Sequence, residues 1–293
     1  MFADLLAGTS QTPITVPSRI PSILAFDSGL GGLTVFSELV RAWPDADFVY
    51  AADDAGFPYG RLPESELTAR VLAVMDRLVA VHRPDLVVIA CNTASTLVLP
   101  HLRRRFDMPF IGTVPAIKPA ASASRSGRIA ILATPATVAR DYTRGLVEAY
   151  AAQCRVELVG SRRLAGFAEA ELRGHPVSDE ELMAELAPCF VEDESGRTDV
   201  VVLACTHYPL LLERFRRLAP WPVTWIDPAP AIARRMRDVL HRPAAHETVP
   251  EDHGGRLAIF TGGEGLDPPL RAALAARGLG QVVVDPIPLV AGH

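Results

Sequence analysis

The 293-residue chain lacks several features that would assign it to a class at once. It has no C-x-x-C pair, since its four cysteines (Cys91, Cys154, Cys189 and Cys205) are spread far apart. That argues against a structural zinc site and suits free thiols in a reducing compartment. No stretch approaches the ~18 apolar residues needed to span a bilayer. The N-terminal stretch lacks a basic start and carries Asp4, so it is a poor signal peptide. A cytoplasmic enzyme without a membrane partner is the default expectation. No long basic run appears, and net charge is −5. Arg103-Arg104-Arg105 is the nearest candidate and reads as a solvated helix face, so nucleic acid is not expected as a substrate. "SGLGGL" (28–33) has neither the G-x-G-x-x-G spacing nor the lysine of a phosphate loop, and reads as a tight strand-to-helix turn.

What is present is apolar patterning. Apolar residues make up 49% of the chain, and the length suits two domains of roughly 100–150 residues. Short β-rich runs alternate with amphipathic stretches. Strands are predicted at 22–26, 47–53, 85–90, 155–160 and 199–204, and helices at 33–43, 65–82 and near 178–192. A further helix is expected from about Ala94, bent or interrupted at Pro100. The run "DLVVIA" is apolar throughout, as parallel strands buried on both faces are.

"DLVVIACNTAS" (85–95) and "DVVVLACTHYP" (199–209) share one outline, and Cys91 and Cys205 are offset by 205 − 91 = 114 residues. The stretch 127–151 likewise echoes the strand, polar turn and helix that begin at residue 22. The sequence thus predicts an α/β fold: two parallel-sheet units related by a pseudo-twofold axis, with the site in the cleft between them. "LAIFTGG", a helix near 269–277 and "QVVVDPI" are expected to return to the first unit.

Ligands of open parallel sheets bind outside the carboxyl ends of the strands. Asp27, Ser28, Cys91, Asn92, Thr93, Thr134, Cys205, Thr206 and His207 all follow such ends. Facing units would set one thiol on each wall of the cleft. Cys154 and Cys189 read as core residues. Two opposed acid–base groups of one kind suit racemisation: one removes the Cα proton and the other returns a proton to the opposite face. Asn92, Thr93, Thr206 and helix-start N–H groups could hold the substrate carboxylate as charge builds on it. A Cys205–His207 nucleophilic pair is a competing reading, but it leaves Cys91 without a task. "FPYG" (57–60) signals a turn whose N–H groups could hold an anion.

"FDSGLGGL", Asp53 followed by "FPYG", "ACNTAS", "GTVPAIKPA", "ATPATV" and "ACTHYPLL" occur here in the order seen in glutamate racemases. The chain resembles that cofactor-independent family from about residue 22 to the "TGG" segment. The resemblance implies two doubly wound domains: 22–113 plus 224–293, and 114–223 inserted between them; the N-terminal arm (1–21) before them reads as loop or flexible from its Pro, Ser and Thr content. It implies interconversion of L- and D-glutamate for peptidoglycan, with no cofactor and no metal. Cys91 would act on D-glutamate and Cys205 on L-glutamate. Asp27, Asp53, Glu169 and His207 would assist them. Ser28, Asn92, Thr93 and Thr206 would contact substrate. Pro58, Tyr59 and Gly60, with Thr134 and Thr137 nearby, would receive the side-chain carboxylate.

The resemblance also brings partners: an activator, UDP-N-acetylmuramoyl-L-alanine, linked to N-terminal extensions; homodimers; and an interaction with DNA gyrase, to which no residue here can be tied. Departures from the family pattern include Ala133 where Gly is frequent, and Ser161-Arg162 where Cys-Pro is frequent. The second lies in "GSRRLAGFAEAE", which carries Glu169. Aspartate or hydantoin racemases, decarboxylases of the same scaffold and a non-catalytic regulatory protein remain as alternatives.

Overall fold

The computed structural model describes residues 20–194, 196–241 and 254–287, together with Ile14–Thr15. Most of the expected arm (1–21) therefore lies outside the described residues. Ile14–Thr15 pairs in parallel with Leu240–His241.

The first run comprises β1 (Ser22–Asp27), α1 (Leu33–Ala42), β2 (Asp47–Ala52), α2 (Glu64–His82), β3 (Leu86–Ile89), α3 (Asn92–Arg105) and β4 (Phe110–Gly112). The second begins with α4 (Ile117–Ala123), β5 (Arg128–Ala133), α5 (Pro135–Ala139), α6 (Asp141–Tyr150) and β6 (Arg155–Gly160). It continues through α7 (Leu164–Leu172), α8 (Asp179–Leu186), β7 (Val200–Ala204), α9 (Leu212–Leu218) and β8 (Thr224–Ile226). Then come α10 (Ala229–Val239), β9 (Arg256–Phe260), α11 (Pro268–Ala275) and β10 (Gln281–Val284).

The long strands form two parallel sheets, ordered β10-β9-β2-β1-β3-β4 and β8-β7-β5-β6. The repeat is visible in that order: β2-β1-β3-β4 has the same sequence of neighbours as β6-β5-β7-β8. The strand Thr224–Ile226 hydrogen-bonds to β7, so residues 224–226 belong to the second sheet and not, as expected, to the first unit. They complete the repeat as Phe110–Gly112 does in the first half. β9 and β10 extend the first sheet beside β2, as expected for the tail.

Both faces of each sheet are covered. In the first unit, Phe36, Phe48, Tyr50 and Met236 fill one side, and Leu67, Val71, Met75, Val98 and Phe110 the other. Leu182, Leu186, Tyr208 and Phe215 pack on one face of the second sheet, and Ile117, Ile129 and Leu146 on the other. Burial on both faces is why β3 and β7 carry no polar alternation.

α3 differs from its expected form. It starts at Asn92, with Cys91 as its N-cap, and runs unbroken through Pro100. The buried Val98, Leu99 and Leu102 hold its line there despite the backbone hydrogen bond that proline removes. On α2, Val81 is 65% exposed, whereas Arg70 lies buried beside Leu67, Val71 and Val74.

Candidate active site

In both sheets the chain leaves the central strand in opposite directions, so a crevice opens at the carboxyl ends of β1 and β3, and of β5 and β7. Those ends carry Asp27, Cys91, Thr134 and Cys205.

The turn after β1 shows why it is rich in glycine. Asp27 Oδ2 accepts the Gly32 N–H at 2.8 Å, closing the turn into α1. The glycines before it leave room for the second unit. A Cβ on Gly29 would lie 2.2 Å from Glu169 Oε1, and one on Gly31 only 2.3 Å from His207 Nδ1. "SGLGGL" is therefore both a turn and the surface on which the opposite wall rests.

Cys91 sits at the start of α3 in extended conformation. Ser28 Oγ is 3.7 Å from its sulfur. Burial first, and then the charge of Asp27, push the Cys91 thiol well above its ordinary value of 9.0, against the lowering influence of the Ala94 N–H and Ser28. Burial also raises Asp27 above 3.8, although the charge of His207 and the N–H groups of Gly32 and Ser28 oppose it. Burial and the charge of Asp27 both favour the Cys91 thiol over the thiolate.

Cys205 is 6% exposed and has a different setting. It precedes a short 3-10 turn (Tyr208–Leu211) rather than a helix start, and Tyr208 donates its hydroxyl to the Ala133 carbonyl at 3.0 Å. The turn brings the i+2 residue round, so that His207 Nδ1 lies 3.8 Å from Cys205 Sγ. His207 Nε2 is 3.0 Å from Glu169 Oε1. Glu169 Oε1 also accepts the Leu30 N–H at 2.8 Å, and Arg173 lies 3.6 Å from its other oxygen. Burial disfavours the imidazolium, but Cys205 and Glu169, with the charge of Asp27, outweigh it and hold His207 well above 6.5. Burial likewise opposes the Glu169 carboxylate, yet His207, the Leu30 N–H and Arg173 bring it below 4.5.

The remaining residues divide into three groups. Thr93, Thr134 and Thr137 form a hydroxyl cluster across the cleft, with Oγ1 atoms of Thr93 and Thr134 3.0 Å apart. Thr134 also caps α5 by accepting the Thr137 N–H. The turn holding Pro58, Tyr59 and Gly60 reaches the same cluster: a Cβ on Gly60 would stand 3.5 Å from Thr134 Cβ. Thr206 is buried, and its carbonyl accepts the Thr34 hydroxyl at 3.1 Å. Asn92 is 2% exposed, and neither end of its amide has a hydrogen-bond partner; Asp27 Oδ1 is likewise buried and unpartnered. Leaving such groups unpaired costs roughly 1–3 kcal/mol each.

Asp53, expected among the catalytic groups, is occupied elsewhere. Tyr59, Thr261 and both arms of Arg70 donate to its two oxygens. The carboxylate thus holds the Tyr59 hydroxyl and the Arg70 guanidinium together. Sequence reasoning missed Phe57, whose ring lies 5.5 Å from that of His207, and also Arg70 and Arg173. A charge on the apolar stripe of α2 was the available signal for Arg70. Among the described residues, no group of three or more His, Cys, Asp or Glu could hold a metal ion. None of the described helices is long and apolar enough to cross a membrane.

Residues 29–236 match the Asp/Glu/hydantoin racemase family. A glutamate racemase of Sinorhizobium medicae is 54% identical over 248 residues, covering 84% of this chain and 90% of its own length. One from Brucella canis is 53% identical over 256 residues, covering 87% and 91%. Among solved structures, Escherichia coli glutamate racemase in complex with L-glutamate and the activator UDP-MurNAc-Ala aligns with a TM-score of 0.81 and 35% identity, over 93% of this chain and 100% of that one. On this sequence, this fold and these relatives, the chain belongs to the Asp/Glu/hydantoin racemase family.

Proposed function

We propose that the chain interconverts L- and D-glutamate by a cofactor-independent, two-base mechanism, and that its product supplies D-glutamate for peptidoglycan. The observation that carries the reading is the pair of buried thiols at equivalent strand ends, each with its own polar escort. With L-glutamate, the Cys205 thiolate takes the Cα proton, and the Cys91 thiol gives its proton to the opposite face of the carbanion. The step ends with a Cys205 thiol, a Cys91 thiolate and D-glutamate, and D-glutamate reverses it. An imidazolium at His207, 3.8 Å from Cys205 Sγ, supplies the charge and N–H that a thiolate there needs. The unpartnered Asn92 amide suits a zwitterion, with its NH₂ facing the α-carboxylate and its oxygen the ammonium. Asp27 Oδ1 is a second acceptor for the ammonium. The threonine cluster and the Tyr59-Gly60 turn suit the side-chain carboxylate.

The test is substitution at each thiol. Cys91→Ala and Cys205→Ala should each lower racemisation of glutamate, followed by polarimetry, by about 10²–10⁴-fold. Cys154→Ala should leave it near normal. More than a tenth of the activity surviving in Cys91→Ala would rule out the two-base reading. A cysteine hydrolase would tolerate the loss of Cys91, and a binding protein would turn over nothing.

A muramoyl nucleotide activator is a second reading, supported by the E. coli relative's complex. A cavity of about 360 Å³ lies where the chain crosses between the units, lined in part by Lys118, Tyr142, Tyr150 and Arg235. Two cations and two phenol rings match a diphosphate and a uracil ring. Titration calorimetry with UDP-N-acetylmuramoyl-L-alanine tests this. Binding that Lys118→Ala weakens supports it, and no heat with the intact chain contradicts it.

A further inference from the structure

We propose that Arg70, in the second turn of α2, is a positioning residue for substrate: it fixes the Tyr59-Gly60 turn through Asp53 and ties that turn to the C-terminal segment. The inference rests on the reading of that turn as the receiver of the substrate's side-chain carboxylate.

The chain of contacts is continuous. Arg70 is 8% exposed, and Asp53 is fully buried. Arg70 Nε donates to Asp53 Oδ2 at 2.9 Å, and its NH2 donates to Oδ1 at 2.5 Å. This is the two-pronged geometry that fixes a carboxylate in orientation as well as position. On the same Oδ2, Asp53 accepts the Tyr59 hydroxyl at 2.5 Å. Tyr59 belongs to the short turn Tyr59–Arg61, and its neighbour Gly60 packs against Thr134 of the opposite unit. The order Arg70, Asp53, Tyr59, Gly60, Thr134 thus runs from the back of the first unit to the hydroxyl cluster in the cleft.

Arg70 has a further tie. Its NH2 donates to the Ile287 carbonyl at 2.5 Å. Two helical turns on, Arg77 pairs with Asp285 through both arms of its guanidinium. Thr261, just past β9, donates to Asp53 Oδ1 at 2.6 Å. The tail of the chain therefore closes on the same carboxylate that holds the turn. Packing gives Asp53 no slack: a Cβ on Gly56 would stand 2.8 Å from its Oδ2 and equally close to the Tyr59 ring.

None of the hydrogen bonds in this chain of contacts goes to a thiol, so the expected signature is in binding. Lysine at position 70 keeps the charge and loses the planar fork. Arg70→Lys and Tyr59→Phe should each raise KM for both glutamate enantiomers by about tenfold while kcat changes by less than about threefold, the pattern of lost uniform binding. Because both act through Asp53, the double variant should be little worse than either single one. A general loss of structure would instead lower kcat with the amount of folded enzyme and leave KM alone. Near-UV circular dichroism verifies the fold. If Arg70→Lys does not fold, Tyr59→Phe and Thr261→Val strip the other two donors from Asp53, and an unchanged KM in both overturns the inference. Full additivity in the double variant, or a kcat effect without a KM effect, also overturns it. Failure of the unmodified chain to racemise glutamate would remove the functional reading and this inference together. Normal racemisation with unmoved KM values in the variants would remove this inference alone.

Discussion

Replacing Glu169 by glutamine isolates the electrostatic link between the two walls of the cleft. The Glu169 Oε1 atom accepts from both His207 Nε2 at 3.0 Å and the Leu30 N–H at 2.8 Å. A glutamine oxygen can accept both of those bonds, so the link to His207 keeps its geometry, while the charge and the ion pair of the other oxygen with Arg173 are lost. Opposite unit charges 3.0 Å apart are worth about 5 kcal/mol at an effective dielectric of about 20. That is an upper bound here, because the neutral hydrogen bond remains. Charged hydrogen bonds contribute ~1.5–3 kcal/mol and neutral ones ~0.5–1.5, so the net loss is about 1–2 kcal/mol. That corresponds to about one unit in the His207 pKa and about a 5- to 30-fold fall in kcat/KM. His207 is held well above 6.5 partly by Glu169, so Glu169→Gln should move the alkaline limb of the kcat/KM profile downward by about one unit. Both reaction directions must fall together, because the equilibrium constant is fixed. Stability should change in step. Glu169 titrates below 4.5 in the native state, so its contribution is present above pH 4.5 and is lost as pH falls through the lower native value. The gap in melting temperature between the two proteins should close in acid. An unmoved pH profile with a rate within twofold of normal would refute the link.

Other outcomes follow from the same geometry. Gly31→Ala places a methyl 2.3 Å from His207 Nδ1, so it should displace the imidazole and lower kcat by about 10-fold or more, measured by polarimetry. Cys189 is fully buried in the second core, and Cys189→Ala should cost about 1 kcal/mol in urea unfolding with turnover retained. Cys91 is held well above 9.0 in the folded state, so its contribution is intact below pH 9 and is lost as pH rises through the native value. The urea midpoint of Cys91→Ala should accordingly fall less between pH 8 and pH 10.5 than that of the unmodified chain.

Parallel strands with uninterrupted apolar runs are legible because burial on both faces removes any reason for polar alternation. β3 and β7 could therefore be read from sequence, and with them the stations of Cys91 and Cys205. β8 could not: three residues, Thr224–Ile226, carry no period, and only pairing with β7 shows their sheet. Glu169 lies on α7, a helix whose sequence "LAGFAEAEL" is apolar on most sides. Its partner His207 is 38 positions away, and local pattern says nothing of such an approach. Asp53 shows a different limit of local pattern. It entered only through the family resemblance, and its tie to Arg70 on another element is visible only in the tertiary structure. The glycines of "SGLGGL" read as a turn, while their second purpose, clearance for Glu169 and His207, belongs to the tertiary structure.

The most direct test of the two-thiol account is the fate of the Cα proton. The purified chain, with no pyridoxal phosphate or metal added, is incubated with L-glutamate in D₂O and followed by proton NMR. Two bases on opposite faces require the incoming hydrogen to come from the solvent-exchanged Cys91 thiol. Early D-glutamate should therefore carry deuterium at Cα, while the remaining L-glutamate stays largely protonated; D-glutamate should give the mirror result through Cys205. Early product that retains the original proton would mean a single base serving both faces and would contradict the account, as would the absence of any exchange with either enantiomer.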